Sequence, residues 1–142
     1  MKLKVKLLSD KALLPIYASE GAAAFDVTTT HCGIVPACSA EIFSTGLSFE
    51  IPPGFYLEVV SRSGHGFNKG IRLANSVGVI DSDYRGELKV KLHNDSTIPY
   101  QVKFGERIAQ VILKRYEKAE FELVDELSST NRGSNGFGST GK

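Results

Sequence analysis

A short segment in the middle of the chain, residues 78–87, carries side chains of the kind that perform chemistry. Between Gly78 and Gly86 it contains two carboxylates, an aromatic ring and a guanidinium group, at Asp81, Asp83, Tyr84 and Arg85. A glycine stands on each side of them, where a backbone turns tightly or lets another group approach closely. Asp81 is suited to act as a general base, and Tyr84 to pack flat against a sugar ring. Asp83 is placed to pair with Arg85. By itself the segment is equally compatible with a surface turn whose charges are solvated.

Two further stretches have the composition of an anion site. Arg62-Ser63-Gly64 directly follows an apolar run, so Ser63 is placed to cap a short helical turn and leave free amides beside the Arg62 guanidinium. Residues 128–142 are mostly Ser, Thr, Asn and Gly, a composition typical of a disordered terminus. That tail nevertheless contains an arginine, a phenylalanine and two hydroxyls at Arg132, Phe137, Ser139 and Thr140. An ordinary strand-to-turn junction and an ordinary disordered tail are the alternatives.

Composition excludes several classes of protein. The chain has 142 residues, the length of one domain, and 42% of them are hydrophobic, as in ordinary globular proteins. The formal charge of +1 lacks the basic excess expected of a nucleic-acid or membrane-surface protein. The two cysteines and three histidines have no zinc-binding spacing. The N-terminus resembles a strand more than a signal peptide, so we expect a cytoplasmic protein.

Elements that would position these side chains are predominantly strands. The pattern alternates apolar and polar residues over short runs that Gly and Pro interrupt, and it contains no long amphipathic helix. About ten short strands predict an all-β sandwich, jelly roll or barrel. The run at residues 55–60 is the most apolar, which predicts a central strand. The predicted strands are residues 2–8, 25–30, 34–35, 40–43, 47–51, 55–60, 71–77, 88–93, 100–104, 107–113 and 121–123.

Five segments, taken together and in order, resemble the motifs of the homotrimeric dUTPase family. They are Ala23-Ala24-Phe25-Asp26-Val27, Arg62-Ser63-Gly64, residues 78–87, Gly105-Glu106-Arg107-Ile108-Ala109-Gln110 and residues 132–141. The resemblance covers nearly the whole chain, and five ordered motifs are far more specific than any one. It implies an all-β catalytic domain over residues 1–127, a jelly-roll-like distorted barrel with at most one short helix. It also implies a flexible C-terminal arm over residues 128–142 that closes over the active site.

The resemblance further implies hydrolysis of dUTP to dUMP and pyrophosphate. Asp81 would activate the water that attacks the α-phosphorus, and Gln110 would contact the phosphate and water network. Asp26 would reach a Mg²⁺ ion through water. The implied substrate-binding residues are Arg62, Ser63, Gly64, Asn75, Gly78, Val79, Ile80, Tyr84, Lys89, Arg132, Phe137, Gly138, Ser139 and Thr140. The enzyme would be a homotrimer whose chains share each active site, with dUTP as its small-molecule partner.

Some residues depart from the family pattern. Ser61 replaces a proline, Ala24 and Asn135 replace glycines, and His65-Gly66 replaces the commoner Leu-Ala.

Two alternative functions stay open. One is a dCTP deaminase of the same fold, against which the Tyr84-Arg85 pair and the Phe137 arm argue. The other is a binding protein that uses a nucleotide to regulate a partner.

Overall fold

The computed structural model describes residues 1–137, and it is built almost entirely of strands. The strands are β1 (Lys4–Leu7), β2 (Ile16–Tyr17), β3 (Phe25–Thr28), β4 (Gly33–Val35), β5 (Ala40–Ser44), β6 (Leu47–Glu50), β7 (Phe55–Val60), β8 (Ile71–Leu73), β9 (Gly78–Ile80), β10 (Lys89–Asn94), β11 (Tyr100–Val102) and β12 (Arg107–Arg115). The helix α1 (Ser63–Lys69) follows β7. No helix in this part of the chain is long and apolar enough to cross a membrane.

All strand pairs are antiparallel and fall into four small sheets. The largest has the order β2-β3-β12-β7-β9, and a second has the order β5-β10-β8. Two-stranded sheets pair β1 with β6 and β11 with β4. Across residues 1–137 the sheets do not join into one closed barrel. The architecture confirms the predicted all-β, jelly-roll-like class with one short helix.

The core lies between the sheets and follows the alternation of the sequence. In β10, Val90 and Leu92 are buried while Lys89 and Lys91 are exposed, because successive side chains of a strand point to opposite faces. Phe43 and Leu57 are among the fully buried side chains contributed by other strands. Burying each such side chain stabilises the fold by about 1.5–3 kcal/mol. The core thereby fixes the strands that carry the polar residues at its rim.

Two predicted strands and one predicted loop differ from the structure. The run at residues 71–77 ends as a strand at Leu73, because the chain turns through Ser76 with a φ of 62°. Residues 78–80, predicted as part of a loop, form β9 and pair with β7, whereas β8 pairs with β10. The chain therefore passes from one sheet to another here instead of closing a hairpin. Residues 121–123 form no strand, and Phe121 and Leu123 are exposed. The predicted central strand, β7, is an interior strand next to the middle strand, β12.

Helix α1 begins and ends for local reasons. Its N-cap is Arg62, in extended conformation and without a side-chain cap, so the predicted capping role of Ser63 is wrong. Ser63 is instead the first helical residue. The helix ends at Gly70, whose φ of 65° lies in the left-handed region that favours glycine. α1 thus forms a compact turn directly after β7, with Arg62 at its start.

Candidate active site

Five of the predicted site residues line one cavity of about 260 Å³, which we call the Asp81 cavity. They are Val79, Ile80, Asp81, Tyr84 and Lys89, and Glu87 completes the lining. β9 supplies the first side of the cavity and the start of β10 supplies the other, so the sheet crossing described above creates it. A larger cavity of about 600 Å³ lies on the other side of Asp81, against Tyr56 and Tyr116.

The Tyr84 ring is held by the turn that follows Asp81. The Tyr84 amide donates to the Asp81 carbonyl at 3.2 Å, and its hydroxyl donates to the Glu87 carbonyl at 3.1 Å. The ring folds back over Gly86, where an added Cβ would lie 2.3 Å from the Tyr84 hydroxyl oxygen. Only glycine leaves room for this arrangement. The turn at residues 81–87 therefore holds the Tyr84 ring in a fixed position against the cavity.

Arg85 braces this turn in a way the sequence did not predict. Its NH1 group donates to the Ser82 carbonyl at 2.7 Å and to the Tyr84 carbonyl at 3.1 Å. Among the described residues no ion pair joins Arg85 to Asp83, so the suggested Asp83–Arg85 pair is not formed. Arg85 fixes the backbone while both carboxylates of the loop stay exposed.

Glu87 is a cavity residue that sequence reasoning missed. Its Oε1 accepts the Gly46 amide at 2.9 Å, and its Oε2 lies 3.8 Å from the Lys89 Nζ. The carboxylate thus anchors the end of the loop to a neighbouring turn and attracts the Lys89 ammonium. Its position directly after Gly86 was the feature of the sequence that could have indicated this role.

A second group of predicted residues gathers around Asp26, and we call it the arginine cluster. Asp26 is 2% exposed, with Oδ1 3.3 Å from Arg62 Nε and Oδ2 3.0 Å from Arg107 NH1. Arg62 NH1 also donates to the Arg107 carbonyl at 3.0 Å. Gln110 pairs with Asp26 across β3 and β12 and with Val60 across β7. Two guanidinium groups against one carboxylate leave a net positive charge, which suits an anion such as phosphate.

Arg107 is the other residue that sequence reasoning missed. It lies within the fourth motif and contacts the same carboxylate as Arg62. A buried carboxylate needs such partners, because an unpaired buried charge is strongly destabilising. Ser63 and Gly64 are exposed beside Arg62, at the start of α1.

Asn75 lies in the turn before β9 and is exposed. Its amide nitrogen is near Gly78, since a Cβ added there would lie 3.6 Å from Asn75 Nδ2 and 3.1 Å from the Val59 Cβ. Gly78 therefore allows β9 to lie close against β7 with the Asn75 amide beside it.

The Asp81 cavity and the arginine cluster do not meet within one chain. Asp81 follows the last residue of β9, which pairs with Leu57, whereas Gln110 pairs with Val60 at the end of β7. The offset along β7 from Leu57 to Val60 is three residues, or roughly 10 Å at about 3.3 Å per residue. The two strand spacings from β9 across β7 to β12 add about 10 Å in the perpendicular direction. The backbones at Asp81 and Gln110 are therefore roughly 14 Å apart or more.

The predicted arm residues are only partly described. Arg132 donates from Nε to the Asn135 carbonyl at 2.8 Å, a local contact, and Phe137 is exposed. Gly138, Ser139 and Thr140 lie outside the described residues.

The side chains around Asp26 indicate how a metal ion could bind there. Among residues 1–137, no group of three or more His, Cys, Asp or Glu residues could hold a metal ion. The two guanidinium groups at Asp26 repel a bare cation, yet Asp26 Oδ1 has no hydrogen-bond partner. The residues therefore fit a divalent cation that arrives with a phosphate chain, with Asp26 as an outer contact.

The fold and the two groups of residues define a class of protein: an all-β protein with a small pocket beside a carboxylate and a separate pair of arginines suited to an anion. The family model for dUTPase matches residues 10–141, and the chain belongs to the dUTPase family. It is 46% identical over 142 residues to the deoxyuridine 5'-triphosphate nucleotidohydrolase of Nautilia profundicola, covering 100% of both chains. It is 45% identical over 139 residues to that of Paramecium bursaria Chlorella virus 1, covering 98% of this chain and 97% of the relative.

Solved structures agree with the sequence comparisons. The dUTPase of Staphylococcus bacteriophage 80alpha with dUPNHPP superposes with a TM-score of 0.92 at 26% identity and 99% coverage of both chains. A mutant dUTPase from phage phi11 of S. aureus, which coordinates a structural Mg(II) ion, has a TM-score of 0.82 at 21% identity. It covers 89% of this chain and 98% of its own. The second likeness supports the fold alone.

Proposed function

We propose that this protein is a dUTP nucleotidohydrolase, which converts dUTP and water to dUMP and pyrophosphate. The observation that carries this proposal is full-length similarity to enzymes of that name, at 46% identity. The Asp81 cavity and the arginine cluster supply the two chemistries that the reaction needs. One receives a nucleoside beside a carboxylate, and the other receives polyphosphate.

The Asp81 cavity receives the nucleoside. At about 260 Å³ it is smaller than most ligand pockets, which suits one pyrimidine nucleoside. Tyr84 packs under the deoxyribose and leaves no room for a 2′-hydroxyl. Asn75 hydrogen-bonds the uracil edge, and the backbone of Gly78, Val79 and Ile80 closes the pocket against a 5-methyl group. Lys89, attracted by Glu87, lies at the rim where it can reach substrate.

The arginine cluster holds the phosphates. Arg62 binds them with Ser63 and Gly64, and Gln110 contacts the phosphate and the attacking water. Asp81 orients that water and takes its proton as the oxygen attacks the α-phosphorus, and the pyrophosphate oxygen leaves in line. A positioned base of this kind contributes about 10²–10⁴-fold to a rate.

Mg²⁺ is the metal that we propose for this reaction. When bound, it neutralises charge on the phosphate chain and favours in-line geometry. Asp26 would accept hydrogen bonds from the water around the ion, through the Oδ1 atom that has no hydrogen-bond partner. The contacts of Arg62 and Arg107 hold that carboxylate in its orientation.

We propose that the active enzyme is a homotrimer that shares its sites. The separation of Asp81 from Gln110 supports this, since residues about 14 Å apart cannot serve the same phosphorus. A neighbouring chain can bring its arginine cluster against the Asp81 cavity. Apolar side chains that the single chain leaves exposed favour such contacts, including Val79, Phe121, Leu123 and Leu127.

Residues 128–142 form the closing arm in this proposal. Phe137 stacks on the uracil, while Arg132 and the hydroxyls of Ser139 and Thr140 hold the γ-phosphate, with Gly138 allowing the close approach. Closure excludes bulk water from the reaction. The exposure of Arg132 and Phe137 supports the proposal, because both are available to a ligand or to a neighbouring chain.

A regulatory role is a second candidate. Phage dUTPases of the 80alpha type control transfer of virulence genes by a G protein-like mechanism, and this chain shares their fold at 26% identity. A dCTP deaminase of the same fold is the enzymatic alternative.

The deciding experiment measures pyrophosphate release from dUTP with Mg²⁺, beside dCTP, dTTP and UTP. We expect release from dUTP alone. Ammonia release from dCTP would indicate the deaminase. A folded protein that binds dUTP without releasing pyrophosphate would indicate the regulatory role.

A further inference from the structure

A buried polar network lies beside the arginine cluster and plays no part in the roles proposed so far. The His65 side chain on α1 is 4% exposed, and its Nε2 is 3.1 Å from Glu106 Oε1. The Tyr100 hydroxyl donates to the same oxygen, and the Lys103 amide donates to Glu106 Oε2 at 2.9 Å. Lys69 Nζ donates to the Tyr100 hydroxyl at 2.6 Å. The network joins α1 to the turn that enters β12.

Both ends of this network adjoin an arginine of the cluster. Arg62 precedes α1, one helical turn before His65, and Arg107 directly follows Glu106. Arg62 Nη1 donates to the Arg107 carbonyl at 3.0 Å, both arginines contact Asp26, and the adjoining strands β7 and β12 are paired. The His65–Glu106 contact adds a link between α1 and the turn before Arg107. This link limits rotation of the Arg62 segment about the other contacts.

The charges in the network suit a neutral histidine as a donor. Burial lowers the pKa of His65, and the positive charges of Arg62 and Lys69 lower it further against the opposing effect of Glu106. Burial acts to raise the pKa of Glu106, but the hydrogen bonds from Tyr100 and the Lys103 amide, with His65, hold it below the usual value. An ionised Glu106 accepts a hydrogen bond from the Nε2–H group of a neutral His65. The bond is therefore present at neutral pH.

We propose that the His65–Glu106 hydrogen bond is a positioning link that holds Arg62 and Arg107 at the spacing that binds the polyphosphate part of the substrate. The inference rests on the proposed function for the identity of that substrate. His65 acts through the arginines and touches no substrate itself.

The test measures binding of inorganic pyrophosphate and of dUMP by calorimetry to the wild type, His65→Leu and His65→Gln. Leucine fills the site without a donor, whereas glutamine keeps an N–H that can reach the Glu106 carboxylate. We expect H65L to weaken pyrophosphate binding about tenfold, as small displacements of binding groups do, and to leave dUMP binding within about twofold. H65Q retains wild-type pyrophosphate binding. His93→Leu is the matched control, because it removes a histidine 2.9 Å from Asp95 without a contact to either arginine.

Two further measurements make every outcome decisive. If H65L does not fold, Glu106→Gln replaces it, since an amide NH₂ group then faces the donors of His65, Tyr100 or Lys103, and the same loss is expected. Unchanged pyrophosphate binding in a folded variant overturns the proposed link. Equal weakening of pyrophosphate binding and dUMP binding also overturns it, as does a wild-type protein that binds no pyrophosphate. A wild type that binds pyrophosphate but releases none from dUTP overturns the proposed function and leaves the link standing.

Discussion

At the scale of single residues, environment decides what each carboxylate can do. Asp26 is buried between Arg62 and Arg107, which hold its carboxylate in place. Asp81 is exposed at the edge of its cavity, where a water molecule can reach it. Glu106 is fixed by three donors and is structural. Of these three acids, only Asp81 is exposed and lines a cavity, which suits the proposed role of base.

Replacing Asp81 with asparagine tests that assignment. The change keeps the shape and removes the base, so we expect kcat for dUTP to fall about 10²–10⁴-fold. Stability should change by no more than about 0.5 kcal/mol, because the side chain is exposed. Asp83→Asn, two residues away and also exposed, is the matched control and should keep kcat within about twofold. A D81N enzyme with turnover within about tenfold of wild type would remove Asp81 from the role of base.

At the scale of elements, the site depends on where strands change sheets. β9 pairs with β7, and β10 pairs with β5 and β8, so the intervening loop spans two sheets. Thr45 Oγ1 donates to the Leu88 carbonyl at 2.6 Å and Glu87 accepts the Gly46 amide, which anchors the far end of the loop. The loop is consequently held at both ends, and Tyr84 has one position over Gly86.

Gly86→Ala probes this loop. An added methyl group would overlap the Tyr84 ring, at 2.3 Å from its hydroxyl oxygen, and must displace it. Gly86 has no positive φ, so we expect stability to change by less than about 1 kcal/mol. The loss of Tyr84 packing should raise KM for dUTP about five- to thirtyfold, the equivalent of 1–2 kcal/mol. Gly21→Ala, where no atom lies within 4 Å, is the control in steady-state kinetics. An unchanged KM in G86A would show that Tyr84 does not need this position.

At the scale of the whole molecule, the single chain keeps Asp81 apart from the arginine cluster. The register of the large sheet holds Asp81 and Gln110 on opposite sides of β7. Pairing of β7 with β9 on one side and with β12 on the other sets this separation. Apolar groups such as Phe121 and Leu123 are exposed, and in the proposed trimer they would contact neighbouring chains.

Mixing two inactive variants tests whether sites are shared. Asp81→Asn and Gln110→Ala each lose activity alone, but mixed trimers contain sites with Asp81 from one chain and Gln110 from another. Random mixing of equal amounts makes about a quarter of the sites complete. We therefore expect partial recovery of pyrophosphate release after co-expression. Activity no greater than the sum of the two variants would place each site within one chain.

The pH dependence of stability reports on the buried histidine. Because the pKa of His65 is lowered in the folded protein, the unfolded chain binds more protons below its pKa of about 6.5. Stability should therefore be fully present above that pH and decrease as pH falls below it. Urea unfolding at pH 7.5 and 5.5, at one protein concentration, should show a larger decrease in wild type than in His65→Leu. Equal decreases in the two proteins would mean that His65 does not contribute in this window.

The fold class and most of the candidate site residues could be predicted from the sequence. Alternation of apolar and polar residues is a local property, so strands such as β10 were predicted within a residue or two. The turn at Gly86 and the loop that carries Asp81 and Tyr84 could also be predicted, because turn residues act through their own backbone. The motif order then indicated the family, which the comparisons confirmed.

Strand pairing and contacts between distant residues could not be predicted from the sequence, because they depend on how the core packs. Whether residues 78–80 form a loop or a strand depends on β7, which lies about 20 residues earlier in the chain. The partnership of Arg107 with Asp26 spans 81 positions, and that of His65 with Glu106 spans 41. Local pattern holds no information about contacts over such distances. They arise when the core packs, and that packing leaves Asp81 and the arginine cluster on separate faces of a single chain.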